Sequence, residues 1–383
     1  MEESTSRMVE KPLQYVTPCL PPKYQHRATA LSLLQNWLAS ERVVLMDGAM
    51  GTELLRRHGK TLAQLTAGLT EANRQPERAQ RILNQLCQGR KQTSETAWRL
   101  ARWTNRVGGW TLGDSLALLN WLHPDWVRQV HADYLRAGAQ CLVTNTFLAW
   151  PRTASVPRMV ERYYRRINRW AIRCAREAAT TVGRIIPVVA SVGPWPDASS
   201  DGVAQCLQQI RSLRQAHALL LETQHSLNFV QAVLTRLKPT FHQPIFVSFT
   251  FRRRGKRLLT WPTQHSPRQI AQWAERYRGV ISMLGVNCGY DLEPQDVYRI
   301  LRDFRRFTSL PLLARPNAGT PQPRGSRLVY PRRCEYLESA VFDLISAGAR
   351  WIGGCCGSMP KDISVMQKRL RRSAGSLGLQ LAE

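Results

Sequence analysis

The sequence predicts a single (β/α)8 TIM barrel, an α/β fold, with a basic helical insertion in the first βα loop. Three observations predict it. Short apolar runs alternate with longer amphipathic stretches along most of the chain. Glycines flanked by alanine recur at the ends of helix-like segments, at Gly138 and Gly348, where a left-handed cap lets the chain turn into the next strand. Several apolar runs end in an acid, an amide or a thiol, and active sites of this fold gather at the C-terminal ends of the strands.

Taken in order, the strand candidates are Val43–Met46, Cys141–Thr144, Ile186–Ala190, Ala218–Leu221, Ile245–Phe249, Val280–Val286, Leu312–Ala314 and Trp351–Ile352. Between them, helical spacing marks Asp125–Ala137, Met159–Thr180, Leu227–Leu237, Pro267–Tyr277, Pro294–Phe304 and Arg333–Ala347. A doubly wound open sheet is the alternative, but its Gly-rich first turn is missing. Residues 1–40 read as an N-terminal extension whose amphipathic Ala30–Leu38 stretch would close the bottom of the barrel. Residues 41–370 read as the barrel and residues 371–383 as a tail. The insertion covers about 59–109, is rich in Lys and Arg, and shows helical spacing in Ala79–Leu86 and Thr96–Trp103. A βα loop lies on the catalytic face, so the insertion is expected beside the active site, as a solvated helical hairpin on the rim or as a partner-binding element.

Across 383 residues, 54 Lys and Arg face 27 Asp and Glu, a net charge of +27 that attracts polyanions and acidic proteins and says nothing of fold. Nine scattered cysteines, an odd number, do not make a disulfide framework and suit a reducing compartment. Met1–Thr17 lacks the apolar region of a secretory signal, and no apolar run reaches the ~18 residues that span a bilayer. A cytoplasmic protein with no membrane partner is expected. A non-catalytic barrel that uses its basic surface on nucleic acid or an acidic partner is the different-class alternative. No nucleic-acid recognition motif or interleaved aromatic platform supports it.

The chemistry-bearing residues stand at strand ends. Asp47 follows the first, Asn145 and Thr146 the second, Glu222 the fourth, Cys288 the sixth, and the adjacent Cys355 and Cys356 the eighth. Three thiolates with one open position describe a catalytic rather than a structural zinc site. Adjacent strand residues point to opposite faces, so Cys355 and Cys356 reach one metal only if the chain bends after Gly353-Gly354. A vicinal disulfide is the strained alternative. An all-thiolate zinc is a poor Lewis acid toward water but keeps a bound alkylthiol deprotonated, which favours alkylation of sulfur over hydrolysis. Asp47 and Glu222 would act as a general acid and base or would hold an ammonium group, and sulfur alkylation needs only the latter. Backbone N–H groups of Gly48–Thr52 suit a carboxylate. An amino acid bearing a thiol satisfies all of these groups.

These residues lie in motifs that resemble the homocysteine S-methyltransferase family, and within it the homocysteine-binding module of cobalamin-dependent methionine synthases. The motifs are D-G-A-M-G-T-E-L at Asp47–Leu54, G-A-Q-C-L-V-T-N-T-F at Gly138–Phe147, L-L-E-T at Leu220–Thr223, G-V-N-C-G at Gly285–Gly289, R-P-N-A-G at Arg315–Gly319 and G-G-C-C-G-S-M-P at Gly353–Pro360. The resemblance implies a zinc-dependent barrel that forms methionine, with homocysteine held at zinc as a thiolate that attacks an activated methyl group. It makes Cys288, Cys355 and Cys356 the Zn2+ ligands, assigns Asp47 and Glu222 to the amino group of homocysteine, and places Asn145 and Thr146 on the pocket wall. The methyl donor is expected to be a methylated corrinoid or a sulfonium such as S-methylmethionine. No cobalamin-binding segment is read in the chain, so a corrinoid would arrive on a separate, acidic protein. After Gly193-Pro194-Trp195-Pro196, only a brief loop is expected before the fourth strand.

Overall fold

In the computed structural model, the described residues are 22–87, 91–153, 155–195, 199–237, 241–289, 291–320, 322–324, 327–330 and 334–382. Cys19, Pro196, Arg333 and residues 1–21 of the expected extension lie outside them.

The chain opens with α1 (Pro22–Leu38) and β1 (Val44–Leu45), then passes through α2 (Met50–Thr70), α3 (Pro76–Leu86), α4 (Lys91–Val107), α5 (Leu112–Leu122) and α6 (Pro124–Arg136). It continues with β2 (Leu142–Val143), α7 (Arg158–Thr181), β3 (Val188–Val192), α8 (Ser200–Ser212), β4 (Ala218–Gln224), α9 (Leu227–Leu237) and β5 (Ile245–Phe249). A hairpin of β6 (Arg252–Arg254) and β7 (Arg257–Leu259) precedes α10 (Pro267–Arg276), β8 (Met283–Asn287), α11 (Pro294–Phe307) and β9 (Leu312–Arg315). A second hairpin, β10 (Gln322–Arg324) and β11 (Arg327–Val329), precedes α12 (Cys334–Ser346), β12 (Ala349–Ile352) and α13 (Pro360–Ser373).

Eight strands form one parallel sheet in the order β1-β12-β9-β8-β5-β4-β3-β2. The ends of that sheet meet. A parallel bridge joins Met46 to Cys141, the Asp47 N–H reaches the Cys141 carbonyl at 3.2 Å, and the Gln140 N–H reaches the Leu45 carbonyl at 2.7 Å. The strands therefore curl into a TIM-barrel-like ring, as expected. They read as continuous apolar runs because helices cover their outer faces and side chains fill the interior. Gly138 and Gly348, at φ +106 and +107, make the expected turns into β2 and β12.

The barrel interior is filled by Val44, Met46, Val143, Val189, Leu220, Phe246, Met283, Leu313 and Trp351. Leu34 and Trp37 of α1 join that same cluster, with the Trp37 ring edge-on to Trp351 at 6.2 Å. The helix thus stoppers the end of the barrel opposite the strand C-termini, and it begins eight residues before the apolar stretch that signals it.

Several elements depart from the expectation. Among the described residues the first connection holds five helices, because α2 begins at Met50 and α2, α3, α4 and α5 all precede α6, the expected first main helix. The strand expected over Val280–Val286 starts at Met283, since the Val280 and Ile281 N–H groups bond back to Tyr277 at the end of α10. The brief loop expected before β4 is instead α8, a helix of 13 residues capped by the Ser199 hydroxyl, which accepts from the Gly202 N–H at 3.1 Å. Its buried Val203, Cys206, Leu207 and Ile210 stand at helical spacing. Among the described residues, no helix is long and apolar enough to cross a membrane.

Candidate active site

Cys288 follows β8, and Cys355 and Cys356 follow β12, so the three thiols meet at the mouth of the barrel. Their sulfurs lie within 4.8 Å of one another, with Cys288 Sγ and Cys356 Sγ 3.9 Å apart. Zinc with thiolates at ~2.3 Å in tetrahedral geometry separates its sulfurs by about 3.8 Å. A disulfide would need about 2.05 Å. The separation therefore fits a shared metal and not a cystine. Cys288, Cys355 and Cys356 are free, as are Cys87, Cys141, Cys174 and Cys206. The Cys288 thiol is held above its ordinary range by its hydrogen bonds to Cys355 and Cys356. Cys356 falls below that range because hydrogen bonds from Cys288 and Cys355 stabilise its thiolate.

The backbone that brings the vicinal pair into reach is tightly stitched. The Gly353 N–H bonds Ala314, the Gly354 N–H bonds Asp47, and the Cys355 N–H bonds Pro316, at 3.0, 3.1 and 2.8 Å. The Ser358 hydroxyl then folds back onto the Cys355 carbonyl at 2.6 Å. A Cβ on Gly354 would stand 2.2 Å from that hydroxyl, so this position takes only glycine. Cys288 and Thr223 both sit in the left-handed region, at φ 59 and 58, which is uncommon for any side chain and most costly for Thr223, branched at Cβ. Buried Asn287 holds this turn. Its Oδ1 accepts from the Thr223 N–H at 3.0 Å, and its Nδ2 donates to Thr223 Oγ1 at 2.8 Å and reaches Cys355 Sγ at 3.7 Å. Tyr330 faces the same thiols, and burial followed by the Cys356 charge pushes its phenol up.

Beneath the thiols lies an ion triad that the sequence did not announce. Arg315, at the end of β9, is 3% exposed and stands between the two carboxylates. Its Nη1 donates to Glu222 Oε1 at 2.9 Å and its Nη2 to Asp47 Oδ1 at 3.2 Å. Its Nε donates to the Gly354 carbonyl at 3.2 Å, and Nη2 also reaches the Gly48 carbonyl at 3.3 Å. The second oxygen of Glu222 accepts from the Ser191 hydroxyl at 2.5 Å, and that of Asp47 from the Val143 N–H at 2.8 Å. Burial raises Asp47 to about 7 against the opposing pull of Arg315, and raises Glu222 in the same way. Burial disfavours the charged guanidinium, but Glu222 and Asp47 outweigh it and raise its pKa.

A cavity of about 390 Å³ opens over this group. Its wall includes Gly48–Thr52, Asn145, Ser191, Glu222, Thr223, Arg315 and the three cysteines, and Leu116 and Ala117 of α5 complete it. Leu116 and Ala117 belong to the connection between β1 and β2 but follow the insertion, and among the described residues none of 59–109 lines the cavity. The N-terminus of α2 also faces the cavity, and the first N–H groups of a helix lack intrahelical partners and favour an anion. Asn145 lines the wall, with its Nδ2 donating to the Leu116 carbonyl at 2.8 Å. Thr146 lies behind the wall, fully buried, donating its hydroxyl to the Ser191 carbonyl at 2.6 Å. Asp47, 1% exposed, sits below Arg315 and off the cavity wall.

A parallel barrel that gathers three thiols and a buried ion triad at its C-terminal mouth defines an enzyme of the TIM-barrel class. Residues 44–370 match the family profile described as homocysteine S-methyltransferase. The chain is 27% identical to the homocysteine S-methyltransferase of Escherichia coli over 68% of this chain and 90% of that one. It is 25% identical to a Bacillus subtilis homocysteine S-methyltransferase over 67% of this chain and 87% of the other. With the methionine synthase of Mycobacterium tuberculosis it shares 28% identity over 64% of this chain but only 21% of that much longer protein. The metallated form of the Escherichia coli homocysteine methyltransferase MmuM superposes with a TM-score of 0.60 at 22% identity, covering 88% of this chain and 99% of that one, a likeness of fold. The chain belongs to the homocysteine S-methyltransferase family and is a methyltransferase.

Proposed function

We propose that the protein is a zinc-dependent homocysteine S-methyltransferase that forms methionine. The observation that carries this reading is the sulfur cluster, with a 3.9 Å separation suited to a shared metal, placed on the wall of a cavity large enough for an amino acid. Cys288, Cys355 and Cys356 would hold Zn2+, and the metal would keep a thiol beside it ionised at neutral pH. The barrel over 41–370, including the insertion at about 59–109, is the unit to which we assign the reaction.

The chain's own residues do the rest. The free N–H groups at the start of α2 receive the acceptor's carboxylate. Asp47 and Glu222 form the acidic floor of the site, with Glu222 the nearer to an α-ammonium because it alone of the two lines the cavity. Asn145 shapes the wall, and Thr146 fixes β3 so that Ser191 meets Glu222. Apolar Leu116, Phe147 and Leu148 limit water around the reacting sulfur. The acceptor S–H loses its proton to solvent, its sulfur attacks the donor's methyl carbon, and the S–CH3 bond forms as the donor's bond to that methyl breaks. With a sulfonium such as S-methylmethionine as the donor, the leaving group is a neutral thioether. A methylated corrinoid, carried by a separate acidic protein, would present its methyl group at the mouth.

The test is a donor panel of S-methylmethionine, methylcobalamin, S-adenosylmethionine, betaine and methyltetrahydrofolate, each with homocysteine and scored for methionine. Methionine from a sulfonium or from the corrinoid is expected. No methionine from any donor, in protein carrying zinc, would overturn the reading.

A further inference from the structure

Specificity for a small acceptor depends on which polar groups of the pocket are left unpaired when the acceptor lacks a partner for them. A site whose buried groups await a hydrogen bond from the substrate rejects an analogue lacking that group by about 10⁴-fold or more. Such rejection fails where the protein itself already satisfies those groups.

In this chain the second condition holds. All four carboxylate oxygens of Asp47 and Glu222 already accept from the protein: two from Arg315, one from Ser191 and one from the Val143 N–H. The guanidinium is not a loose surface group. It is buried, two of its nitrogens reach the Gly354 and Gly48 carbonyls, and its backbone is bonded to the thiol-bearing loop through the Cys288 N–H at 3.2 Å. It lines the cavity, whereas Asp47 below it does not. An arginine keeps its charge across the working pH range. The cation that an acceptor's α-ammonium would bring to this pair is thus built into the fold.

We infer that Arg315 makes acceptor recognition largely independent of the α-ammonium, so that the enzyme also methylates small thiol carboxylates without an amino group. The inference rests on the thiol-methylation reading above. Its chemical class is an ω-sulfanyl alkanoate, such as 4-sulfanylbutanoate, which is homocysteine without the amino group. The carboxylate sits at the α2 N-terminus and the thiol at the cysteine cluster, as for homocysteine. The step balances in the same way: the thiol proton goes to solvent, the methyl moves from a sulfonium donor to the acceptor sulfur, and a neutral thioether leaves.

The experiment compares kcat/KM for homocysteine and 4-sulfanylbutanoate in the zinc-loaded wild-type enzyme, with the donor found by the panel. A preference for homocysteine of less than about thirtyfold is expected, against the ~10⁴-fold of a site that requires the missing group. A larger preference overturns the inference while leaving the methyltransferase reading intact, and methylation of neither thiol sinks that reading itself. Arg315→Met should raise the preference for homocysteine at least tenfold by freeing both carboxylates, and an unchanged preference in a folded variant also overturns the inference. If that variant does not fold, the wild-type ratio decides alone.

Discussion

His131 and His217 show how single residues set the acid limit of this fold. His131 is fully buried on α6 with neither ring nitrogen partnered, and burial lowers it to about 3. His217 is lowered to about 4 by burial and then by Arg176 and Arg27, and its Nδ1 accepts from the Val188 N–H at 2.8 Å, which requires the neutral ring. Both pKa values are depressed in the folded state, so the unfolded chain binds more protons between those values and about 6.5. The stability they contribute is present above about 6.5 and is lost as pH falls toward 4 and 3. Urea unfolding at pH 7 and pH 5 should show a loss of about 2 kcal/mol from each histidine. His131→Leu should shrink the drop between the two pH values by that amount, and an equal drop in both proteins would refute the assignment. The same scale explains what the sequence revealed and what it concealed. Thiols and acids at strand ends were readable because a barrel delivers strand ends to one mouth. Arg315 was not: an arginine inside R-P-N-A-G reads as an ordinary surface charge, and its partners Asp47 and Glu222 are 268 and 93 residues away.

At the scale of elements, legibility followed burial. Barrel strands announce themselves because both faces are covered and the run is continuously apolar. The α5 helix failed to announce itself because it is apolar nearly all round, with Ala117, Leu118, Leu119, Trp121 and Leu122 buried, so no amphipathic period marks it. The α8 helix hid behind Ser, Gly and Gln, and the β6–β7 hairpin behind a run of exposed Arg that shows no alternation. The α1 helix was visible only where Leu34 and Trp37 reach the barrel interior. That contact makes the helix a stopper rather than an appendage. Trp37→Ala should cost about 3–5 kcal/mol of unfolding free energy, as for other buried aromatic truncations. Because Trp37 lies at the end opposite the thiols, kcat should stay near that of the wild type. A loss below about 1 kcal/mol would mean that the helix does not seal the core.

For the whole molecule, the net charge of +27 is not concentrated on the insertion. Arg162, Arg165, Arg166, Arg169, Arg173 and Arg176 gather on the outer side of α7, Arg152 is half-buried against Phe147 and Gln209, and Arg315 is buried. The charge therefore says less about the reaction than three neutral-looking thiols do. The proposed function rests on those thiols acting as one unit, supplied by two strands that are distant in sequence and held together by the closed ring. Zinc content and methionine formation should be measured on the same samples of wild-type enzyme and of Cys288→Ser, Cys355→Ser and Cys356→Ser. We expect about one zinc per wild-type chain. Each serine variant should lose both the metal and methyl transfer to homocysteine, by at least ~100-fold in rate, while its unfolding midpoint stays close to that of zinc-free wild type. A folded serine variant that makes methionine at the wild-type rate without bound zinc would contradict the account.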